Sequence, residues 1–392
     1  MNRVRYIDTF STDNNHEIFN ASLLVMCSKV FDRVIYVAGK SSSKNVLPLA
    51  KRETALTHIT YRSIYVVSGY SRFSLILRYM IGILMSIKAI LYSSSDEIII
   101  FNYNNLFAVP VLNRLNKILK RKILIFCHGE LELLTPRYNG GGIFSKSLQK
   151  VAVHFFQKSS RQIAKGLYFA VMGDEILSNL KKILPLQVAS KFITIDHSYI
   201  FSYHTAQSSL SERIHIGCVG AMSINKGLLS IFELARCLKS NQISNISLSI
   251  VGCIPGKYVN KCRELNIRIS ENPEISLSRE EFDMKIETLD YILYLYPSHL
   301  YKVTASGAIY DAINKNKPVI AFNNSYFNYL SRKFGAFGYL VNSVEDILNL
   351  LLSLKSNPPV KINFSALKSK LSPSSISAQL KEQLINIDFL NK

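Results

Sequence analysis

The chain has 392 residues, of which 48% are hydrophobic and 19% charged, with 17 glycines and 11 prolines. This composition excludes a disordered, collagen-like or low-complexity protein. The length is too great for one typical core and fits two domains of about 150–200 residues each, so we expect two well-filled cores. There are 47 Lys and Arg residues against 27 Asp and Glu residues, a formal net charge of +20. Such an excess predicts an anionic partner, which is nucleic acid, a phosphorylated small molecule or an anionic membrane.

The six cysteines form no Cys-x-x-Cys pair, and several lie in apolar runs, so we expect a reducing compartment and no metal cluster. The N-terminal residues 1–8 end in an acid where a signal peptide needs apolar residues, and no export signal is predicted. The longest apolar segment, 73–92, has nine residues between Arg78 and Lys88, too few to cross a bilayer. These features predict a soluble, cytoplasmic chain.

Short runs of consecutive apolar residues recur along the chain, each followed by a longer helical stretch, as in parallel sheets covered on both faces. The first series of predicted strands is 4–7, 34–38, 64–67, 98–101, 123–126, 167–172 and 192–195. A polar break follows at 202–211, and the second series is 214–219, 246–251, 267–269, 291–295, 319–322 and 339–341. The pattern predicts an α/β protein with two Rossmann-like domains, 1–200 and 201–372, facing a central cleft. The last residues, 373–392, are predicted to form a helix that packs back on the first domain.

The excess positive charge lies mainly in the first predicted domain. Residues 1–200 contain 26 Lys and Arg against 12 Asp and Glu, a surplus of 14, whereas residues 201–392 have a surplus of only 6. The helical stretch 146–165 interleaves basic and aromatic side chains, which favours a helix on an anionic membrane. A solvated basic face over an ordinary core stripe explains this pattern equally well. The predicted membrane contacts are Lys150, Phe155, Phe156, Lys158 and Arg161.

Polar residues follow several strands of the first series, at the strand ends where open α/β sheets place ligands. After the strand 123–126 we predict catalytic roles for His128 and for Glu130, a candidate base for a hydroxyl. Glu132 is better explained by a favourable position at a helix start. The predicted acceptor contacts lie in three other loops and are His16, Glu17, Asn104 and Arg137.

Two loops of the second predicted domain have the pattern of a phosphate site. Gly220 ends the strand 214–219, and Lys226 and Gly227 then open a helix, where backbone N–H groups and a lysine can hold an anion. Farther on, small residues start a helix that leads to Asp311, and these are Thr304, Ser306 and Gly307. An ordinary strand-to-helix turn and an ordinary helix cap are the alternatives. Two such helix starts in one Rossmann-like domain favour a nucleoside diphosphate.

At this point the second domain resembles the donor-binding half of GT-B glycosyltransferases, especially the bacterial group akin to family GT4. The matching segments, in ordered succession, are Gly220 with 225–227, 250–252, 297–298, 305–312 and 317–321. The resemblance implies a nucleoside-diphosphate sugar whose diphosphate is held by Lys226 and the helix start at Ser306–Gly307. It also implies that His128 lines the reaction centre, and it suggests transfer to a lipid-linked saccharide in bacterial surface polysaccharide assembly, such as O-antigen or capsule. An inner-membrane surface is then the second partner, and no nucleic acid is expected.

The chain departs from that family at two places. A basic residue usually follows the first glycine, where this chain has Ala221, and two glutamates usually stand eight positions apart, where it has Val303 and Asp311. Asp311 can still accept a hydrogen bond from a ribose hydroxyl. There is no Asp-x-Asp motif, so we expect no metal or other cofactor, and the leaving diphosphate would be neutralised by Lys226 and helix dipoles. The open alternatives are a non-hydrolysing nucleotide-sugar epimerase of the same fold and a non-catalytic membrane-associated binding subunit.

Overall fold

The computed structural model describes residues 2–69, 71–135, 142–158, 162–202, 213–275, 277–297, 300–354 and 360–391. The chain divides into two compact units. Unit 1 comprises residues 1–200, 303–305 and 370–392, and unit 2 comprises residues 201–302 and 306–369. Within these ranges each unit has its own parallel sheet, so each is an α/β unit.

The sheet of unit 1 has seven strands in the order β3-β2-β1-β4-β5-β6-β7, and all its neighbouring strands are parallel. In chain order they are β1 (Arg3–Asp8), β2 (Arg33–Gly39), β3 (Ile59–Ile64), β4 (Glu97–Phe101), β5 (Lys122–Phe126), β6 (Leu167–Val171) and β7 (Phe192–Thr194). The central strands are buried along almost their whole length because helices cover both faces. All loops that leave these strands at their carboxyl ends therefore lie along one edge of the sheet.

The helices of unit 1 connect these strands in the right order for parallel crossovers. They are α1 (Glu17–Val30), α2 (Lys40–Glu53), α3 (Arg72–Leu91), α4 (Val109–Leu119), α5 (Ile143–Val153), α6 (Asp174–Lys181) and α7 (Leu186–Ala189). Farther along the chain, α15 (Pro373–Asn386) also belongs to unit 1 and packs against α1. Ser372 caps α15 by accepting a hydrogen bond from the Ser375 N–H group, and a proline follows at the first helical position.

The sheet of unit 2 has five parallel strands in the order β12-β11-β10-β8-β9. They are β8 (Ile214–Val219), β9 (Ile246–Val251), β10 (Tyr291–Tyr294), β11 (Val319–Phe322) and β12 (Gly338–Val341). The helices between and after them are α8 (Leu228–Ser240), α9 (Val259–Glu264), α10 (Arg279–Glu287), α11 (Ile309–Asn314), α12 (Ser325–Phe334) and α13 (Val344–Ser353). The helix α14 (Phe364–Leu371) carries the chain from unit 2 back to unit 1.

Two of the predicted strands are wrong. The third strand covers Ile59–Ile64 rather than 64–67, because it is an edge strand whose residues alternate between exposed and half-buried positions, and a search for consecutive apolar residues misses it. The segment 267–269 forms only an isolated bridge, between Arg268 and Ser249. The other predicted strands are confirmed within about one residue at each end.

Candidate functional site

Asp8, the last residue of β1, is buried and accepts four hydrogen bonds. Its Oδ1 accepts from the backbone N–H groups of Phe10 and Ser11 at 3.0 and 2.8 Å. Its Oδ2 accepts from Asn20 Nδ2 at 3.0 Å and from Ser42 Oγ at 3.2 Å. One carboxylate thus fixes the loop after β1 and the first turns of α1 and α2 against the carboxyl end of the sheet.

The same network continues to a histidine. Asn20 Oδ1 accepts from Asn102 Nδ2 at 2.8 Å, and the Asn102 carbonyl lies 2.8 Å from His128 Nε2. A carbonyl oxygen can only accept, so Nε2 carries the proton and Nδ1 is the acceptor of the ring. Burial, with smaller contributions from His16 and His197, lowers the pKa of His128 to about 3, although the hydrogen bond with the Asn102 carbonyl acts in the opposite direction. The ring is therefore neutral at pH 7 and offers Nδ1 to a hydroxyl donor.

Glu130 lies beside this histidine, and both of its carboxylate oxygens accept from the His128 backbone N–H group, at 3.0 and 2.9 Å. Burial raises the pKa of Glu130 to about 7, although hydrogen bonds from the backbone and from Asn104 act in the opposite direction. A carboxyl group with this pKa exchanges its proton near neutral pH, which is the property that a general base or acid needs. His128 and Glu130, predicted together from the sequence, thus form one hydrogen-bonded pair.

Aromatic rings surround the pair. The Phe19 ring packs edge-on against the His128 ring with centroids 4.6 Å apart, and the His16 ring lies 5.1 Å away. Tyr103 stacks over His128 at 6.3 Å and is itself stacked on Phe10 at 4.2 Å. These rings desolvate the pair and hold the imidazole in one orientation.

We expect Asp8→Ala to lower the free energy of unfolding by about 3–5 kcal/mol, because it removes the acceptor of two backbone N–H groups and one of the two acceptors of the Asn20 amide. Differential scanning calorimetry measures the loss. Asp8→Asn is the matched variant, since its amide oxygen still accepts from Phe10 and Ser11 while its N–H₂ group takes the place of the acceptor for Asn20, and it should cost about half as much. Equal losses for the two variants would show that the contacts of Oδ2, and not those of Oδ1, control stability here.

In unit 2, the turn after β8 places a glycine, a lysine and a second glycine at a helix start. Gly220 has φ +89°, and a Cβ built there meets no atom within 4 Å. Lys226 ends the short 3-10 turn Ile224–Lys226 and is half-buried, and burial lowers the pKa of its ammonium group. Gly227, with φ +85°, then caps α8 and lies directly against the Leu295 carbonyl group. The turn therefore presents open space and a partly desolvated cation, which an anionic ligand would neutralise.

The two glycines give a matched pair of substitutions. Both have positive φ, so a side chain at either position costs about 1–2 kcal/mol of backbone strain. A Cβ on Gly227 would also lie 2.2 Å from the Leu295 carbonyl oxygen. We expect Gly220→Ala to lower the free energy of unfolding by about 1 kcal/mol and Gly227→Ala by roughly 2–4 kcal/mol. Urea denaturation measures both losses, and equal values would contradict the packing described for Gly227.

No family model matches the chain, and no curated protein matches it in sequence. Solved structures match it almost end to end. The structure of Anabaena HepE in complex with UDP and glucose aligns with 98% of this chain and 100% of that chain, with a TM-score of 0.62 and 13% identity. WaaG, a glycosyltransferase involved in lipopolysaccharide biosynthesis, aligns with 97% of this chain and 99% of its own, with a TM-score of 0.55 and 11% identity. The apo form of the lipopolysaccharide outer core galactosyltransferase WaaB aligns with 98% of this chain and 99% of its own, with a TM-score of 0.54 and 13% identity.

The chain has the GT-B fold. The predicted fold class, α/β with two Rossmann-like domains, is thereby confirmed. In this GT-B chain the seven-stranded unit holds the His128–Glu130 pair, and the five-stranded unit holds the turn with Lys226.

The second predicted donor loop is divided between the GT-B units. Thr304 belongs to unit 1, near Gly129, and its hydroxyl is buried without a hydrogen-bond partner among the described residues. Val303, which replaces the first family glutamate, is buried, and its N–H group donates to Glu132 Oε1 at 3.1 Å. Glu132 thus holds backbone, in agreement with its interpretation as a structural acid.

The rest of that loop belongs to unit 2. Ser306 is buried and Gly307 is exposed just before α11. Asp311 accepts from Arg279 Nη2 at 3.1 Å, while the Arg279 Nε atom lies 3.0 Å from Asp283. A ribose hydroxyl would therefore meet an Asp311 carboxylate that an arginine already orients.

The structure places the predicted acceptor residues in different environments. His16 is exposed and has φ 57° at the start of α1, and Glu17 is the first residue of that helix. Asn104 is completely buried, and its amide donates to Cys127 Sγ at 3.5 Å. Its predicted contact with an acceptor is therefore wrong, because its side chain presents no surface to a ligand. Arg137 lies outside the described residues.

The predicted membrane helix is only partly suited to that role. Phe156 is fully buried against Phe169 and Phe192, so its predicted contact with lipid is wrong. Basic and aromatic side chains interleave along this stretch, but Phe156 lies in a π-helical turn, His154–Lys158, and is its one buried residue. Lys150 and Lys158 are exposed and Phe155 is half-buried. Arg161 lies outside the described residues.

Sequence reasoning did not assign roles to several residues that hold the site. Asp8, Asn20, Ser42 and Asn102 stand far apart in the chain and meet only because their strands are neighbours in the sheet. The available signal was a polar residue at the end of β1, Asp8, and another directly after β4, Asn102. Arg279 gave no signal, because it lies 32 positions from Asp311 in a different helix. Among the residues that the structure describes, no three His, Cys, Asp or Glu side chains form a group that could hold a metal ion.

Proposed function

We propose that this chain is a glycosyltransferase that moves a sugar from a nucleoside-diphosphate sugar to a hydroxyl group of a lipid-linked saccharide. The proposed setting is the inner face of the cytoplasmic membrane, in the assembly of a bacterial surface polysaccharide such as O-antigen or capsule. The observation that carries the proposal is the half-buried Glu130, with a pKa raised to about 7, whose carboxylate accepts from the His128 backbone N–H group at the carboxyl edge of a GT-B sheet. A carboxyl group of this kind suits deprotonation of an acceptor hydroxyl.

The donor is proposed to bind unit 2. Lys226 supplies a partly desolvated ammonium, and Gly220 leaves open space where a phosphate can approach the backbone. HepE, which has the same fold, was solved with UDP and glucose and also with UDP-glucose. We therefore propose UDP or a related nucleoside diphosphate as the leaving group, with its ribose near Asp311.

Neutralisation of the leaving diphosphate is proposed to come from the chain itself, without a metal or other cofactor. Lys226 offers one positive charge, and the start of the 13-residue helix α8 adds a partial one. Ser306 and Gly307 are proposed to give further donors at the second loop. His128, neutral and with Nδ1 as acceptor, is proposed to orient a hydroxyl of the transferred sugar rather than to deliver a proton.

The acceptor is proposed to bind unit 1, where the exposed His16 and the neighbouring Glu17 border the His128–Glu130 pair. A phosphorylated, lipid-linked saccharide agrees with the charge of this half of the chain, since residues 1–200 hold 26 Lys and Arg against 12 Asp and Glu. A nucleotide donor bound in unit 2 cannot account for that excess.

The test is transfer of a radiolabelled sugar from UDP-, GDP- and dTDP-sugars into the butanol-extractable lipid of bacterial membranes. We expect one donor to label the lipid with release of its nucleoside diphosphate. Conversion of the free nucleotide sugar without added membranes would instead indicate the epimerase. Nucleotide binding without any turnover, across the whole donor panel, would indicate a non-catalytic subunit.

A further inference from the structure

The helix α3 carries an apolar stripe that faces away from the protein. Its exposed large side chains follow a spacing of three, four or seven residues, which places them on one helical face. They are Phe73 (75% exposed), Ile76 (43%), Leu77 (37%), Met80 (56%), Leu84 (62%) and Leu91 (55%). Exposed apolar surface of this extent is rare on a soluble protein and marks an interaction site.

The opposite face of α3 is firmly attached to unit 1. Arg78 donates from Nε to the Val67 carbonyl and from Nη2 to the Gly69 carbonyl, both at 2.7 Å. A Cβ on Gly82 would lie 3.0 Å from Asn105 Nδ2, so the helix backbone packs closely on the loop after β4. Tyr79 shares a 2.7 Å hydrogen bond with Tyr103, whose ring covers His128. The stripe is thus the outer surface of a helix that supports the candidate site from its inner side.

The surroundings of the stripe are basic. Residues 54–129 contain nine Lys and Arg and only two carboxylates, Asp96 and Glu97. Both acids lie near arginines, with 3.9 Å between Asp96 and Arg3 and 2.8 Å between Glu97 and Arg5. The helix α4 packs beside α3. The exposed cations on these two helices and at the end of α4 are Arg72, Lys88, Arg114, Lys117 and Lys120. Ile118 on α4 adds another apolar side chain that is 80% exposed.

We propose that the exposed face of α3 lies in the interface of an anionic lipid bilayer, with its apolar stripe among the acyl chains and its flanking cations at the headgroups. This deepens the proposed function, on whose membrane location it rests, and it assigns the contact to α3 rather than to α5. An apolar face beside unpaired cations has the chemistry of an interfacial helix.

A second copy of the chain is a poorer occupant of this face. A two-fold contact would place the same basic flank on both sides of the interface, with no unpaired carboxylate from residues 54–129 to compensate it. By length and composition α3 is the one helix in the described ranges that could cross a membrane. Its inner face, however, is held by Arg78 and Tyr79, so we infer that it lies along the bilayer plane.

The chain contains no tryptophan, so a single introduced tryptophan reports its own depth in a bilayer. We expect Met80→Trp fluorescence to shift to the blue and to be quenched by vesicles of phosphatidylglycerol and dibrominated phosphatidylcholine. Ile275→Trp, at a position of unit 2 that is 65% exposed, is the matched control and should not be quenched. Equal quenching of both variants, or none at Met80, would overturn the proposal.

A triple variant, Phe73→Ser with Met80→Ser and Leu84→Ser, provides the second test. Removing three apolar side chains from an interface should weaken vesicle partitioning about 100-fold. The control Leu186→Ser with Ile275→Ser, also at exposed positions, should leave it unchanged. Thermal unfolding in solution verifies that both variants fold. A wild-type dimer that sediments without vesicles and that the triple variant dissociates would assign the face to a second copy and overturn the bilayer.

The outcome is separable from that of the proposed function. Calorimetric titration with UDP, without vesicles, measures the donor site alone, and the triple variant should bind as the wild type does. If vesicles bind through α3 while no nucleoside diphosphate binds, the glycosyltransferase proposal fails and the lipid-binding face stands. If a nucleoside diphosphate binds and vesicles do not, the lipid-binding face fails and the proposed donor site stands.

Discussion

Replacing Glu130 by Gln is expected to lower the rate of sugar transfer at pH 8 by roughly 100-fold or more, because a general base contributes about 10²–10⁴-fold. The amide keeps the size of the side chain and one acceptor for the His128 N–H group, but it cannot take a proton from a hydroxyl. Binding of UDP should be unchanged, since the substitution lies in unit 1 and the donor is proposed to bind unit 2. A rate within threefold of the wild type would remove Glu130 from catalysis.

The pH profile gives an independent test of the same residue. With a pKa of about 7, the wild-type rate should rise as the pH increases from 6 to 8, because only the carboxylate is a base. His128, with a pKa of about 3, does not titrate in this range. Glu130→Gln should have a flat profile between these pH values. A variant that keeps the rise would assign the titration to another group.

Stability should move in the opposite direction to activity. The folded-state pKa of Glu130 is raised above the ordinary value of 4.5, so the folded protein binds this proton more tightly than the unfolded chain does. The free energy of unfolding therefore falls as pH rises from about 4.5 to 7, by on the order of 2–3 kcal/mol. Glu130→Gln should be more stable than the wild type at pH 8 and equally stable at pH 4, as measured by thermal unfolding.

The second large effect is expected at the lysine of unit 2. Lys226→Ala should weaken UDP binding by roughly 10- to 100-fold, because a hydrogen bond to a charged group contributes about 1.5–3 kcal/mol. Burial already lowers the pKa of this ammonium, and a diphosphate beside it would raise that pKa again. Calorimetric titration measures the affinity directly.

A lysine elsewhere in unit 2 controls for the loss of charge. Lys239 is exposed near the end of α8, the helix that Lys226 precedes. Lys239→Ala removes the same charge from the unit but should leave the affinity for UDP within twofold of the wild type. A similar loss in both variants would show that the overall charge of unit 2, and not a contact with Lys226, attracts the nucleotide.

Much of the fold could be predicted because the buried parallel strands consist of consecutive apolar residues. The run Ile98–Phe101, for example, is buried at every position. The edge strand β3 was misplaced because only one part of its surface is covered, so its apolar residues alternate. The π-helical turn His154–Lys158 follows α5 directly, and the sequence pattern predicted one basic and aromatic helix across both.

The site could be predicted only in part, and the reason is again physical. His128, Glu130 and Lys226 lie in the loops that follow β5 and β8, where ligands bind in α/β sheets, so their positions can be inferred from the local sequence. The partners of His128 are not local, since the Asn102 carbonyl comes from the neighbouring strand end and fixes the tautomer of the ring. The exposure of the α3 stripe could not be predicted either. An apolar helical segment has the same sequence pattern whether its outer face is covered by other elements or not.

The most direct test of the central claim is thermal unfolding of the chain with a panel of nucleoside diphosphates and their sugars, repeated with Lys226→Ala. A ligand present at 100 times its dissociation constant adds about 2.7 kcal/mol to the stability of the folded state. We predict that one nucleoside diphosphate and at least one of its sugars raise the unfolding temperature of the wild type, and that the variant loses most of this shift. The same unfolding temperature with every nucleotide and without any would contradict the assignment of a nucleotide-sugar site to unit 2.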